Sequence, residues 1–213
     1  MITIAMPVYE GVDLLDVAGP FEMLSWVNPD DGPPIAQTLV VSADGKPVAP
    51  GSGLVITPHG AFADAPSPDV LWVPGGTIAA LQALLPDPDN PYFDYLVQAA
   101  ANATWVCSVC EGALLLARAG LLYGYQATTH WAFVNCLKSF EGIDVDETNA
   151  RFVLSGNRLT GGGISSGLDE SLMLIQLLWG TKVAASVQVT TQYFPDPPVA
   201  GKLPPAGPCP VSW

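Results

Sequence analysis

Short apolar runs recur along most of the chain, and each is closed by glycine, proline or an acid. Residues 2–8 (ITIAMPV), 35–42 (IAQTLVVS), 69–74 (DVLWVP) and 104–109 (TWVCSV) are too short for helices and rich in β-branched side chains, which predicts strands. Those at 2–8 and 69–74 read as buried on both faces. Between them the period lengthens, and helices are predicted at 13–26, 78–85, 92–102 and 112–122. The last of these is apolar nearly all round and therefore deeply buried. Further on, 127–129 reads as a short strand, 131–140 as helical, and 151–154 with 158–160 as a hairpin around Ser155-Gly156-Asn157. A long helix is predicted at 166–178, capped by Ser165 or Ser166, and a last one at 182–193. Residues 51–58 read as a short extended piece. From Phe194 onward the chain is proline-rich, and that stretch is expected to stay out of the core.

Strands alternating with helices predict an α/β fold, a doubly wound and mostly parallel sheet flanked by helices. At 213 residues one domain is expected, spanning 1–198, followed by a tail at 199–213. Ligands in such folds sit at the carboxyl ends of the strands. Only 13% of residues are charged, yet the net charge is −13. That disfavours nucleic acid and anionic membranes as partners and favours a small, neutral or weakly charged ligand. No export signal is read at the N-terminus. The four cysteines are expected to be free thiols in a reducing cytoplasm, Cys136 as packing and Cys209 as an exposed residue.

Candidate chemistry gathers at strand ends. Cys110 lies between a predicted strand and a buried helix, with Gly112 two positions on. That is the pattern of a nucleophile elbow, in which the following helix would lower the thiol pKa; the alternative is a small buried apolar residue. Asp16, in an apolar setting, reads as a helix cap or as a site acid with a raised pKa. Gly75-Gly76 is a tight turn, or backbone N–H groups that join the Glu111 amide in an oxyanion hole. Glu111 complements a helix dipole, or points into the pocket as a second acid; close to Cys110 it would disfavour a thiolate. His130 reads as a possible general base, or as a structural cap. Cys107 completes a C-x-x-C with Cys110 but sits inside a strand, so an inert core thiol is expected. His59 is expected in a surface loop. With His59 and His130 the only histidines, a zinc site lacks ligands.

The segments LLDVAGPFEML (14–24), VLWVPGGT (70–77), SVCEGALLLARAGLL (108–122), ATTHWAF (127–133) and LTGGGISSGLDESL (159–172) together resemble the ThiJ/PfpI superfamily, also described as class I glutamine-amidotransferase-like. Within it they are most similar to the isonitrile hydratases. ATTHW and TGGGISSGLD also occur in related transcription regulators that carry a helix-turn-helix domain. The resemblance implies a flavodoxin-like α/β fold and a homodimer with no cofactor. It places the nucleophile on Cys110, the acid/base on Asp16 and the Pro-Gly-Gly loop on 74–76. The implied reaction adds water to an isonitrile through a Cys110 thioimidate and yields an N-substituted formamide. Hydratases carry Thr directly after the cysteine, where this chain has Glu111. Two other outcomes are compatible with the family: a protein that senses or withstands oxidation through Cys110, and a small-molecule-binding domain without chemistry.

Overall fold

A computed structural model describes residues 1–212. Its centre is a seven-stranded sheet built from β1 (Ile2–Pro7), β2 (Ala36–Ser42), β3 (Gly60–Ala61), β4 (Val70–Val73), β5 (Trp105–Ser108), β8 (Phe152–Ser155) and β9 (Arg158–Gly161). The order is β3-β2-β1-β4-β5-β9-β8. Every neighbouring pair is parallel except the β8–β9 hairpin. Register is fixed at the centre by Leu71 against Val106 and Trp72 against Cys107. All four residues of β4 are buried, as a strand covered on both faces must be. A separate parallel pair joins β6 (Gln126–Ala127) to β7 (Asp144–Val145).

The helices are α1 (Leu14–Ser25), α2 (Ile78–Leu84), α3 (Pro91–Asn102), α4 (Gly112–Arg118), α5 (Val134–Leu137), α6 (Ser166–Trp179) and α7 (Thr181–Thr190). They flank the sheet: α1 packs on α6 and α6 on α7, while α3 and α4 pack on β4. Half-buried Asn90 and Thr77 side chains cap α3 and α2 by accepting from Tyr92 N–H and Ala80 N–H, satisfying N–H groups the helices leave over. The expected helix at 112–122 is shorter than its apolar run. It stops at Arg118 because Gly120 turns with φ +73° and the chain leaves the helical path. Residues 51–58 form no strand; Ile56 makes a lone bridge to Val48. Among the described residues no helix is long and apolar enough to cross a membrane.

The four-free-thiol expectation is corrected. Cys136 on α5 is joined to Cys209 in the tail by a disulfide with a Cα–Cα distance of 4.8 Å, and only Cys107 and Cys110 are free. The tail also reaches the core, contrary to expectation. Val211 is buried and Cys209 packs against the apolar cluster, and the Asn135 amide donates to the Gly207 carbonyl at 2.8 Å. Proline prevents regular hydrogen bonding there, yet one cross-link and one buried valine suffice to dock an irregular segment.

Candidate active site

Cys110 occupies the turn between β5 and α4 with φ 58°, a left-handed conformation that costs a non-glycine residue about 1–2 kcal/mol. Close packing imposes it. A Cβ on Gly112 would strike the Val73 carbonyl, so α4 begins hard against the end of β4. The turn is held by Cys110 N–H donating to Gly162 O at 2.8 Å and by the Thr129 hydroxyl donating to Cys110 O at 2.8 Å.

Asp16 reaches the same place from α1. Asp13 N–H donates to Gly75 O at 2.9 Å, which pins the start of the helix to the 74–76 loop. Pro20 lies inside α1 and has no N–H to give the Asp16 carbonyl. The Trp72 indole N–H fills that gap at 3.1 Å. With its backbone so held, the Asp16 side chain is fully buried, Oδ2 accepting from Gly75 N–H at 2.9 Å and Oδ1 without a protein partner. Burial raises its pKa well above the carboxylate range; the Gly75 N–H opposes this and the charge of Glu111 adds to it.

Glu111 is buried too; its carboxyl lies within 4.8 Å of the Cys110 thiol, and its Oε2 has no hydrogen-bond partner among the described residues. Burial pushes its pKa up to about 7, against the nearby Cys110 thiol and the backbone N–H groups of Glu111 and Gly76. The thiol itself is raised well above its usual value, by burial first and then by Glu111 and Asp16, with the Ile164 backbone opposing. The expectation of a thiol acidified by the following helix is thus overturned. Desolvation and two carboxylates outweigh one short helix start. The Gly75 and Gly76 amides are also engaged differently from an open oxyanion hole: Gly75 N–H serves Asp16 and Gly76 N–H favours the charged form of Glu111.

His130 stands at the rim. Its Nδ1 accepts from Ala132 N–H at 3.2 Å and caps the turn at Trp131–Phe133, its ring packs against Trp131 and Phe133, and burial lowers its pKa. The capping role, one of the two read from the sequence, is thus the one its contacts show, and His130 also lines the adjoining cavity. Cys107 is fully buried in β5 with its thiol raised by burial, as expected of a core residue.

Two acids escaped the sequence reading. The ligating atoms of Asp13, Cys110 and Glu111 lie within 4.8 Å of one another, and burial raises Asp13. Glu170 on α6 is fully buried; burial and then Asp16 push it well up, against the Ser108 backbone. A signal existed for Glu170: it shares the apolar helical face of Gly167, Ser171 and Leu174, where a solvated acid has no place. Beside the Cys110 turn lies a cavity of about 340 Å³ lined by Leu15, Thr129, His130, Gly162, Ile164 and Leu203 among others; Cys110, Asp16 and Glu111 are behind this lining and not part of it.

Residues 2–176 match the model of the DJ-1/PfpI family. The chain is 38% identical over 210 residues to an isonitrile hydratase of Pseudomonas putida, covering 99% of this chain and 86% of that one. It is 30% identical over 176 residues to the HTH-type transcriptional regulator GbdR of Pseudomonas aeruginosa, covering 82% of this chain but 46% of the regulator. Among solved structures, a ThiJ/PfpI family protein from Pseudomonas syringae superposes with a TM-score of 0.83 at 35% identity, over 93% of this chain and 77% of that one. An AraC family transcriptional regulator from Pseudomonas putida shares the fold at 22% identity, with a TM-score of 0.75 over 90% of this chain and all of that one.

Proposed function

This chain belongs to the DJ-1/PfpI family, and from that premise we propose that it is a lyase of isonitrile hydratase type, with Cys110 as nucleophile and Asp16 and Glu111 as proton carriers. The observation that carries this reading is the buried Asp16 carboxyl, fixed by Gly75 N–H beside the Cys110 turn. Burial shifts its pKa upward and so favours the protonated form, and hydration of an isonitrile carbon requires a proton donor.

In this reaction Cys110 passes its proton to the Glu111 carboxylate, and the thiolate attacks the terminal carbon of R–N≡C. Asp16 protonates that carbon, giving the thioimidate R–N=CH–S–Cys110. Water then adds to the same carbon, losing a proton to Asp16, while Glu111 returns its proton to nitrogen. The C–S bond of R–NH–CH(OH)–S–Cys110 breaks, the hydroxyl proton returns to sulfur, and R–NH–CHO leaves. The two acids thus exchange protons in opposite phase.

A small neutral substrate suits the pocket, because the cation at its mouth, Arg151, is committed to Asp169 and to Ser165 Oγ. A homodimer with neither a nucleic-acid nor a membrane partner completes the proposal. The test is incubation with cyclohexyl isonitrile and quantitation of N-cyclohexylformamide by mass. Wild-type production well above that of Cys110→Ala is expected, and equal yields would overturn the reading.

The closeness of the Glu111 carboxyl to the Cys110 thiol also favours a second reading, oxidation of Cys110 to a sulfinate held by the neutral acid. Peroxide titration followed by intact mass tests it. A stable adduct of two oxygens on Cys110 is expected, and its absence would remove this reading.

A further inference from the structure

The cavity beside the Cys110 turn is not built from the α/β domain alone. Its inner wall is made of residues that touch the thiol's own turn: Thr129 bonds the Cys110 carbonyl, Gly162 takes the Cys110 N–H, and the Ile164 backbone meets the sulfur. Its outer wall includes Leu203, which lies in the tail beyond the last helix. Leu203 is 56% exposed, so burying itself is not what holds it there.

The anchor is further along the chain. Asn135 bonds Gly207, Cys136 is bonded to Cys209, and Val211 is buried. Asn135 and Cys136 lie on α5, which directly follows the Trp131–Phe133 turn. That turn brings His130 and Trp131 into the lining of the same cavity. One element therefore fixes both parts of the lining. Prolines at 195, 197, 198, 204 and 205 stiffen the span between α7 and the anchor, since each fixes its own φ. A free tail would have to be ordered whenever substrate bound; a cross-linked one is already in place.

We propose that the tail is a wall of the substrate pocket, that Leu203 limits the size of the group carried next to the reacting atom, and that the Cys136–Cys209 bond holds this wall in position. The identity of that group as an isonitrile substituent rests on the function proposed above; the wall itself does not.

The test uses Cys110 alkylation on the full chain, which needs no turnover. Rates are measured by peptide mass for small iodoacetamide and for bulky N-phenyl iodoacetamide. Leu203→Ala and Cys136→Ser/Cys209→Ser should each raise the rate for the bulky reagent by roughly ten-fold and leave the small one within about two-fold. Leu203→Trp should slow the bulky reagent. Leu203 is exposed, so its variants fold even where the cysteine pair does not. An unchanged ratio of the two rates in the Leu203 variants would overturn the proposal. Absence of formamide from wild type, with the ratio shifted as expected, would remove the hydratase reading and leave the wall standing.

Discussion

The Cys110 thiol lies within 4.8 Å of the carboxyl of its own neighbour, Glu111, which burial raises to about pKa 7. One residue pair therefore combines a reluctant nucleophile with a base poised near neutrality. The charge of Glu111 raises the thiol pKa, so Glu111→Gln should lower it, and iodoacetamide should alkylate Cys110 several-fold faster at pH 7. Hydration should respond in the opposite sense. Loss of the proton carrier should reduce kcat/KM about a hundred-fold, and the rise of wild-type activity through pH 7 should disappear. If both rates increase, Glu111 only hinders the thiol.

Asp16 separates structural from chemical roles in the same way. Asp16→Asn keeps an oxygen for the Gly75 N–H and should change stability by no more than about 1 kcal/mol. It cannot deliver and recover a proton, so formamide production should fall by about 10²–10⁴. Asp16→Ala should in addition destabilise by about 1–3 kcal/mol, because the buried Gly75 N–H is left unpaired. Chemical denaturation beside the formamide assay checks both. Full activity in Asp16→Asn would remove it from the mechanism.

The family fold and the positions of Cys110, Asp16 and Glu111 were legible because their signals are local. Apolar runs at 2–8, 69–74 and 104–109 coincide with β1, β4 and β5, and a cysteine between a strand and an apolar helix can hardly avoid the strand end. The direction of the thiol pKa was not legible. It depends on how deeply the turn is covered and on Asp16, ninety-odd positions away, which only packing brings close. Glu170 was hidden for the same reason: its partners Asp16 and Ser108 lie on α1 and at the end of β5. The Cys136–Cys209 pairing spans 73 residues, and no spacing along the chain encodes it.

Three buried acids make stability depend on pH in an unusual direction. Asp16, Glu111 and Glu170 all hold their protons more tightly in the folded chain than in the unfolded one. Above the ordinary carboxylate pKa the folded state then binds more protons, so stability falls as pH rises. Glu111 alone, moving from 4.5 to about 7, contributes roughly 3 kcal/mol that is fully present below pH 4.5 and lost progressively as the pH rises to about 7. The melting temperature should therefore increase between pH 8 and pH 5. Glu170→Gln should flatten that slope and be more stable than wild type at pH 8. A melting temperature that falls on acidification over this range would show that the acids are charged in the fold.

The cross-link between α5 and the tail predicts both a thiol count and a stability loss. Denatured without reductant, the protein should titrate two thiols, Cys107 and Cys110, of its four cysteines; after reduction it should titrate four. A loop of 73 residues corresponds to about 4 kcal/mol in the chain-entropy description of disulfides. Much of that is expected to be local, because the tail can undock while the sheet stays folded. Cys209→Ser should thus expose the tail to proteolysis at low protease concentration and lower the global melting temperature only modestly. Cutting should fall between α7 and residue 208, where proline-rich, irregular backbone offers an extended substrate. Four titratable thiols in the unreduced protein, or a tail equally resistant in wild type and Cys209→Ser, would show that the segment is held by Val211 and Asn135 alone.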